Sequence, residues 1–251
     1  MSKDARVMIL GVRVSVTSIS RAVLGIGHWI KERQRTYVCV APVSTLVDCQ
    51  RNLAYRDVVN AAGMVTPDGM PLVWIAKAKG CKDIERTYGP DLMRAVCEQG
   101  QAQSWRHFFY GGTPDVCAKL ETVLKKNFPC IKIVGVFSPP FRSQAEQEQA
   151  DVLKTIQEAK PDILWVALGS PKQDFWMQMH RPLLDVPVMV GVGAAFDFVA
   201  GIKPQAPLWM QHSGLEWLFR LLTEPKRLWR RYLIGNTKFI YYLIKDMLQQ
   251  H

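Results

Sequence analysis

In the stretch GMVTPDGMPLVW, Asp68-Gly69 follows a short apolar run and precedes an apolar helical pattern. A carboxylate at the carboxyl end of a strand is where a general base meets a substrate hydroxyl, although Pro-Asp-Gly is also a common turn. Further on, ERTYGPDLM brings Arg86, Tyr88 and Asp91 into a short segment before another helix. The planar fork of Arg86 suits phosphate, while the commoner use of a lone arginine is a surface ion pair. Three more stretches join a strand pattern to glycine and a helix start. FFYGGTPD has Gly111 and Gly112, which let backbone approach a ligand closely or simply turn the chain. VALGSPKQD ends its strand at Gly169 and places Lys172, Gln173 and Asp174 in the first turn after Pro171. VGVGAAFDFVAG offers Gly191, Gly193 and Asp197. Helix N-termini present free N–H groups to anions, so these ends together form a candidate nucleotide crevice. Taken singly, Gly-Gly after a strand is more often a turn than a phosphate cradle, and Lys172, Gln173 and Asp174 read also as a solvated helix start in which Asp174 complements the helix dipole.

Other chemistries lack their residues. His28, His107, His180, His212 and His251 form no pair at ligand spacing, so no histidine-bound metal is expected. Cys39, Cys49, Cys81, Cys97, Cys117 and Cys130 contain no C-x-x-C pair, which points to reduced thiols rather than a zinc or redox site. There is no P-loop and no G-x-S-x-G elbow. GVGAAF lacks the third glycine of a dinucleotide fingerprint. No cofactor is expected.

Short apolar segments alternate with segments of helical period, the pattern of a parallel sheet covered by helices. Strands are expected at Val7 to Val16, Tyr37 to Ala41, Met64 to Thr66, His107 to Tyr110, Ile131 to Phe137, Ile163 to Leu168 and Val188 to Val192. Helices are expected at Ser18 to Gln34, Ser44 to Ala62, Pro114 to Asn127 and Gln144 to Ala159. Thr113-Pro114 supplies a capping hydroxyl and a first-turn proline. This order predicts a doubly wound α/β fold, whose ligands bind outside the carboxyl ends of the strands.

The 251 residues suffice for a sizeable core, and their net charge of +10 is unevenly spread. Residues 203–251 hold 8 Lys+Arg against 3 Asp+Glu, leaving 24 against 19 in residues 1–202. We therefore expect a catalytic domain over 1–202 and a basic appendage over 203–251. The appendage also carries Trp209, Trp217, Trp229, Tyr232, Phe239, Tyr241 and Tyr242. Basic and aromatic groups together suit the surface of an anionic membrane. The competing uses are a core-packing helix with a solvated basic face, or a homo-oligomer contact. No apolar run reaches the roughly 20 residues of a membrane span, and the opening residues do not read as a secretory leader. A cytoplasmic protein lying on the inner face of the membrane is expected. No helix-turn-helix, zinc-finger or RNA-recognition signature supports nucleic acid as a partner.

TPDGMPLVW, ERTYGPDLM, YGG, LGSPKQDFW, GVGAAFDFVAG and GLEWLFRLLTEPKRLWRRY follow one another as in a bacterial glycosyltransferase family. From about Val7 to about Lys238 the chain resembles the WecG/TagA/CpsF family, glycosyltransferase family 26. The resemblance implies a Rossmann-like fold and metal-independent, inverting transfer of a sugar from a UDP-sugar to a polyprenyl-diphosphate-linked acceptor. N-acetylmannosamine is the best-known sugar. By position, Asp68 matches the proposed base, Gln173 the glutamine of P-K-Q-E, and Arg86 the arginine of R-x-x-G-x-D-L. Asp174 stands where glutamate is usual. Arg220, Arg227 and Arg230 match arginines of an appendage thought to dock on the membrane and close over the diphosphate. Pro225 argues for a helix restart within that set. Val40 and Pro42 occupy the positions of the family's T-x-N, with Ser44 or Thr45 as candidate substitutes. The alternative function is a non-catalytic UDP-sugar sensor.

Overall fold

The structure, a computed structural model, describes residues 5–140 and 146–249. Its strands are β1 (Arg6–Ile9), β2 (Val12–Ser15), β3 (Thr36–Ala41), β4 (Met64–Pro67), β5 (Arg106–Gly111), β6 (Lys132–Phe137), β7 (Ile163–Ala167) and β8 (Val188–Gly191). Six of them form one sheet in the order β4-β3-β8-β7-β5-β6, and the pairings β3–β8, β8–β7, β7–β5 and β5–β6 are parallel. With helices between successive strands, this is the expected Rossmann-like α/β fold.

Strands buried on both faces read as unbroken apolar runs. ILWV in β7 is fully buried, whereas the edge strand β6 is half-exposed along most of its length and begins with an exposed lysine.

Tertiary contacts divide the chain into two units, each discontinuous in sequence. The first comprises Met1–Ser18, Val40–Tyr88 and Gln205–His251, and the second Ile19–Cys39 and Gly89–Pro204. The basic tail thus belongs, from Gln205, to the first unit. There, Gly235–Gln249 packs on Val43–Arg51, and β2 packs against β4. In the second unit, Ile19–Lys31 packs on Gly89–Gln103.

Two expected elements are divided. The strand expected over Val7 to Val16 is a hairpin, because Leu10 and Gly11 both take positive φ (47° and 70°) and reverse the chain between β1 and β2. The helix expected over Ser44 to Ala62 is two helices, Val43–Arg51 and Leu53–Asn60. Asn52 is extended between them, and its side chain accepts from Tyr55 N–H (3.0 Å). Of the helix expected from Gln144, the structure shows Glu146–Ala159; Gln144 and the terminal His251 lie outside the described residues.

The core of the second unit centres on stacked rings. His107 lies parallel to Phe109 and Trp165 with centroids 6.3 Å apart in each case, and Phe196 meets Phe109 edge-on at 5.8 Å. Trp165 Nε1–H donates to His107 Nδ1 (3.1 Å), and His107 Nε2 has no partner among the described residues. Burial lowers the His107 pKa from 6.5 to about 4. A histidine held neutral in this way stabilises the fold fully above about 6.5, and that contribution is lost as pH falls toward 4. Roughly 3 kcal/mol is expected from a depression of this size. Imidazole NMR should show His107 titrating near 4; an ordinary value would remove this source of acid instability.

Candidate active site

In the second unit, the carboxyl ends of three strands lie side by side. Gly111 of β5 is opposite Ala167 of β7, and Val166 of β7 is opposite Gly191 of β8. Gly111 has φ 124°, and a Cβ built there would stand 2.5 Å from the Ala167 carbonyl oxygen, so only glycine fits this approach. The adjoining helix Pro114–Asn127 is capped by Thr113, whose hydroxyl accepts from Val116 N–H (3.3 Å).

Gln173 turns inward and is only 2% exposed. Its Oε1 accepts from Gly169 N–H (3.2 Å) and Gly193 N–H (3.0 Å), while its Nε2 donates to Ser170 Oγ (3.2 Å). One side chain thereby ties the loop after β7 to the loop after β8. Asp174 is equally buried beside it, and Lys172 is exposed. Asp197 is half-buried and pairs with Lys203 (3.8 Å).

In the first unit, Asp68 follows β4 and lines a cavity of about 640 Å³. That volume lies within the roughly 300–1,000 Å³ of small-ligand sites. Both backbone polar groups of Asp68 are held. Its N–H donates to the Ala41 carbonyl at the end of β3 (3.2 Å), and its carbonyl accepts from Arg86 Nε (2.8 Å). The other guanidinium nitrogens of Arg86 donate to Gln211 Oε1 (2.9 Å) and to Glu216 Oε2, and the group lies 4.1 Å above the Tyr88 ring. Gln211 is itself fixed, since its Nε2 donates to the Ala206 carbonyl (2.8 Å). Arg86 therefore joins the Asp68 loop to the tail.

Burial dominates the electrostatics of this cluster. It pushes the Glu216 carboxyl above the usual glutamate value, against the opposing pull of Arg86. The Tyr88 phenol is also pushed up, by burial first and then by Glu216 and Asp68. For Arg220, burial acts to lower the pKa, but Tyr232, Tyr88, Glu216 and Asp68 outweigh it and the guanidinium stays charged. The cavity thus keeps buried cations next to carboxylates.

Asp68, Arg86 and Arg220 are brought to one cavity. Arg227 and Arg230 are not among its lining residues. The tail helix ends at Thr223 and restarts at Pro225, and Arg227 pairs with Glu224 while Arg230 lies over the Trp229 ring at 5.2 Å. Arg231, which was not singled out in the sequence, does line the cavity and donates from Nε to Ser44 Oγ (3.0 Å). Pro42 and Ser44 line it too, whereas Thr45 is buried. Glu216 and Gln211 were also missed, because no local signal links them to an arginine more than a hundred positions earlier. Among the described residues, no group of three or more His, Cys, Asp or Glu side chains could hold a metal ion.

Comparison with known proteins agrees with this arrangement of motifs. The chain is 31% identical over 217 residues to the N-acetylglucosaminyldiphosphoundecaprenol N-acetyl-beta-D-mannosaminyltransferase of Bacillus spizizenii (strain ATCC 23059 / NRRL B-14472 / W23), covering 86% of this chain and 82% of that protein. It is likewise 31% identical over 219 residues to the protein of the same name in Bacillus subtilis (strain 168), covering 87% and 83%. The model of the glycosyl transferase WecG/TagA/CpsF family matches residues 7–251, and the chain belongs to that family.

Proposed function

We propose that this glycosyltransferase moves an N-acetylmannosamine-like sugar from a UDP-sugar to a polyprenyl-diphosphate-linked glycan, with inversion and without a metal ion. The observation that carries the reading is Asp68, a carboxylate on a pinned strand end, lining a cavity together with Arg86 and Arg220. The names of the two Bacillus relatives support the acceptor class and the sugar. In the reaction, Asp68 accepts the proton of the acceptor hydroxyl as that oxygen bonds to the anomeric carbon. The bond from that carbon to the UDP oxygen breaks, and UDP leaves with the electron pair.

The leaving diphosphate needs donors where its charge develops. Arg220 lines the same cavity as Asp68 and offers its guanidinium to that charge. Arg86 holds the Asp68 backbone in place.

Incubating the purified protein with a panel of UDP-sugars and short-chain polyprenyl-diphosphate sugars, with and without EDTA, tests the reading by mass spectrometry. One sugar should be added to the lipid in both buffers. Absence of transfer overturns the function, and transfer abolished by EDTA overturns the metal-free chemistry.

We propose further that the tail lies on an anionic membrane. No helix of the described residues is long and apolar enough to cross one. On Gly235–Gln249, however, Tyr241, Ile244, Met247 and Leu248 are all exposed and recur at the spacing of one helical stripe. Lys238 and Lys245 share that helix, and each cation near an anionic surface contributes about 1 kcal/mol. The double variant Ile244→Ser with Leu248→Ser should lose at least roughly tenfold in affinity for phosphatidylglycerol vesicles, the scale set by withdrawing two large apolar side chains. Unchanged vesicle binding, or a loss of self-association instead, would assign the stripe to another contact.

A further inference from the structure

The cavity of the first unit extends beyond the polar cluster at Asp68. Its remaining walls include Trp74, Ile75, Trp217, Leu233, Ile240 and Leu243. Along each of two stretches the lining becomes mainly apolar away from the polar cluster. Asp68 is followed by Trp74 and Ile75 on Met70–Ala78. Arg231 and Tyr232 are followed by Leu233, then by Asn236 and Thr237, and then by Phe239, Ile240 and Leu243, through a π-helical turn (Arg230–Ile234) into Gly235–Gln249. At 1.5 Å rise per residue, Leu243 lies roughly 15 Å beyond Tyr232 along this path. Trp74, Leu233 and Ile240 are 49%, 52% and 57% exposed, so packing within the chain does not account for their apolar character. The Trp74 ring is nonetheless held in place. It lies against Gly214 (φ 74°), where a Cβ would stand 2.6 Å from the ring.

We propose that this trough holds the isoprenoid chain of the acceptor, with its diphosphate at Arg231 and its first isoprene units along Trp74 and Ile240. The inference rests on the acceptor class proposed above. A sugar or nucleotide has no use for an apolar wall of this length, whereas an anionic head joined to a hydrocarbon matches an arginine that gives way to Trp, Ile and Leu. The relatives' names carry such a molecule, a diphosphoundecaprenol. Four carbon–carbon bonds of about 1.5 Å give an isoprene unit an extended length of roughly 5 Å, so the trough accommodates about three units. Recognition of the chain is then a property of the protein, separate from attachment of the tail to a bilayer.

The test uses the full chain in buffer without detergent or membrane, and sugar-diphosphate acceptors bearing one to five isoprene units below their aggregation concentrations. We expect kcat/KM to rise roughly tenfold per unit up to about the third and then to level, since each buried unit removes several carbons from water. In Trp74→Ala, and independently in Ile240→Asp at an exposed position, the ratio between the three-unit and one-unit acceptors should fall from about a hundred toward one. Transfer to every acceptor with no dependence on chain length overturns the trough and leaves the proposed reaction standing. An equal gain for linear alkyl chains of the same carbon number assigns the trough to lipid acyl chains and also overturns it. Failure of transfer to acceptors of every length overturns the reaction, and the trough with it.

Discussion

Asp68→Asn is expected to lower turnover by about 10² to 10⁴, the range typical of losing a general base. This corresponds to roughly 3–5 kcal/mol of transition-state stabilisation. The substitution isolates the chemistry because the backbone at position 68 is held independently of the side chain, by Ala41 on one side and Arg86 on the other. Asparagine has nearly the same shape but does not accept the proton at neutral pH. The loss should therefore fall on kcat, with UDP affinity by calorimetry little changed. A fully active variant removes Asp68 from the role, and a variant that no longer binds UDP gives it a structural one.

Gly111→Ala should destabilise the chain by about 2–5 kcal/mol, from a strained backbone conformation together with a forced overlap. Residue 111 has φ 124°, and the added methyl would stand 2.5 Å from the Ala167 carbonyl oxygen and 2.9 Å from its Cα. Relief by a rotamer change is impossible, because the obstacle is the backbone of the neighbouring strand. Moving that strand would disturb the Gly112 N–H to Ala167 carbonyl bond (3.2 Å) and the paired ends of β5 and β7. Denaturant unfolding reads the loss directly. The same substitution at Gly169, where a Cβ would meet nothing within 4 Å, carries only the conformational cost at φ 78° and should destabilise less. Equal losses at the two positions would show that the approach to Ala167 is not tight.

Much of the architecture was written in local chemistry. Pro114–Asn127 was legible end to end, since its start depends on a capping threonine and a first-turn proline that act within a few residues. ILWVA, YVCVA and VMVG read as buried strands because a parallel strand covered on both faces must be apolar at every position. Asp68 and the glycine-bearing strand ends were found by the same reasoning, as breaks where such runs stop on polar groups. The hairpin at Leu10-Gly11 was not legible, because a leucine at φ 47° goes against its own preference and is held there by its surroundings.

The partners of several site side chains depended on contacts distant in sequence. Gln173 stood among groups suited to a ligand, yet the folded chain turns it inward to join Gly169 to Gly193. Arg86 meets Glu216, and Arg231 meets Ser44, across separations that no periodicity encodes. The restart expected at Pro225 is present, and Arg227 and Arg230 meet Glu224 and Trp229 instead of the cavity. Backbone conformation is governed by each residue and its near neighbours, so the sequence alone determined the elements and the residue types at their ends. Which side chains meet is governed by the packing of elements distant along the chain, and only the tertiary structure decided it.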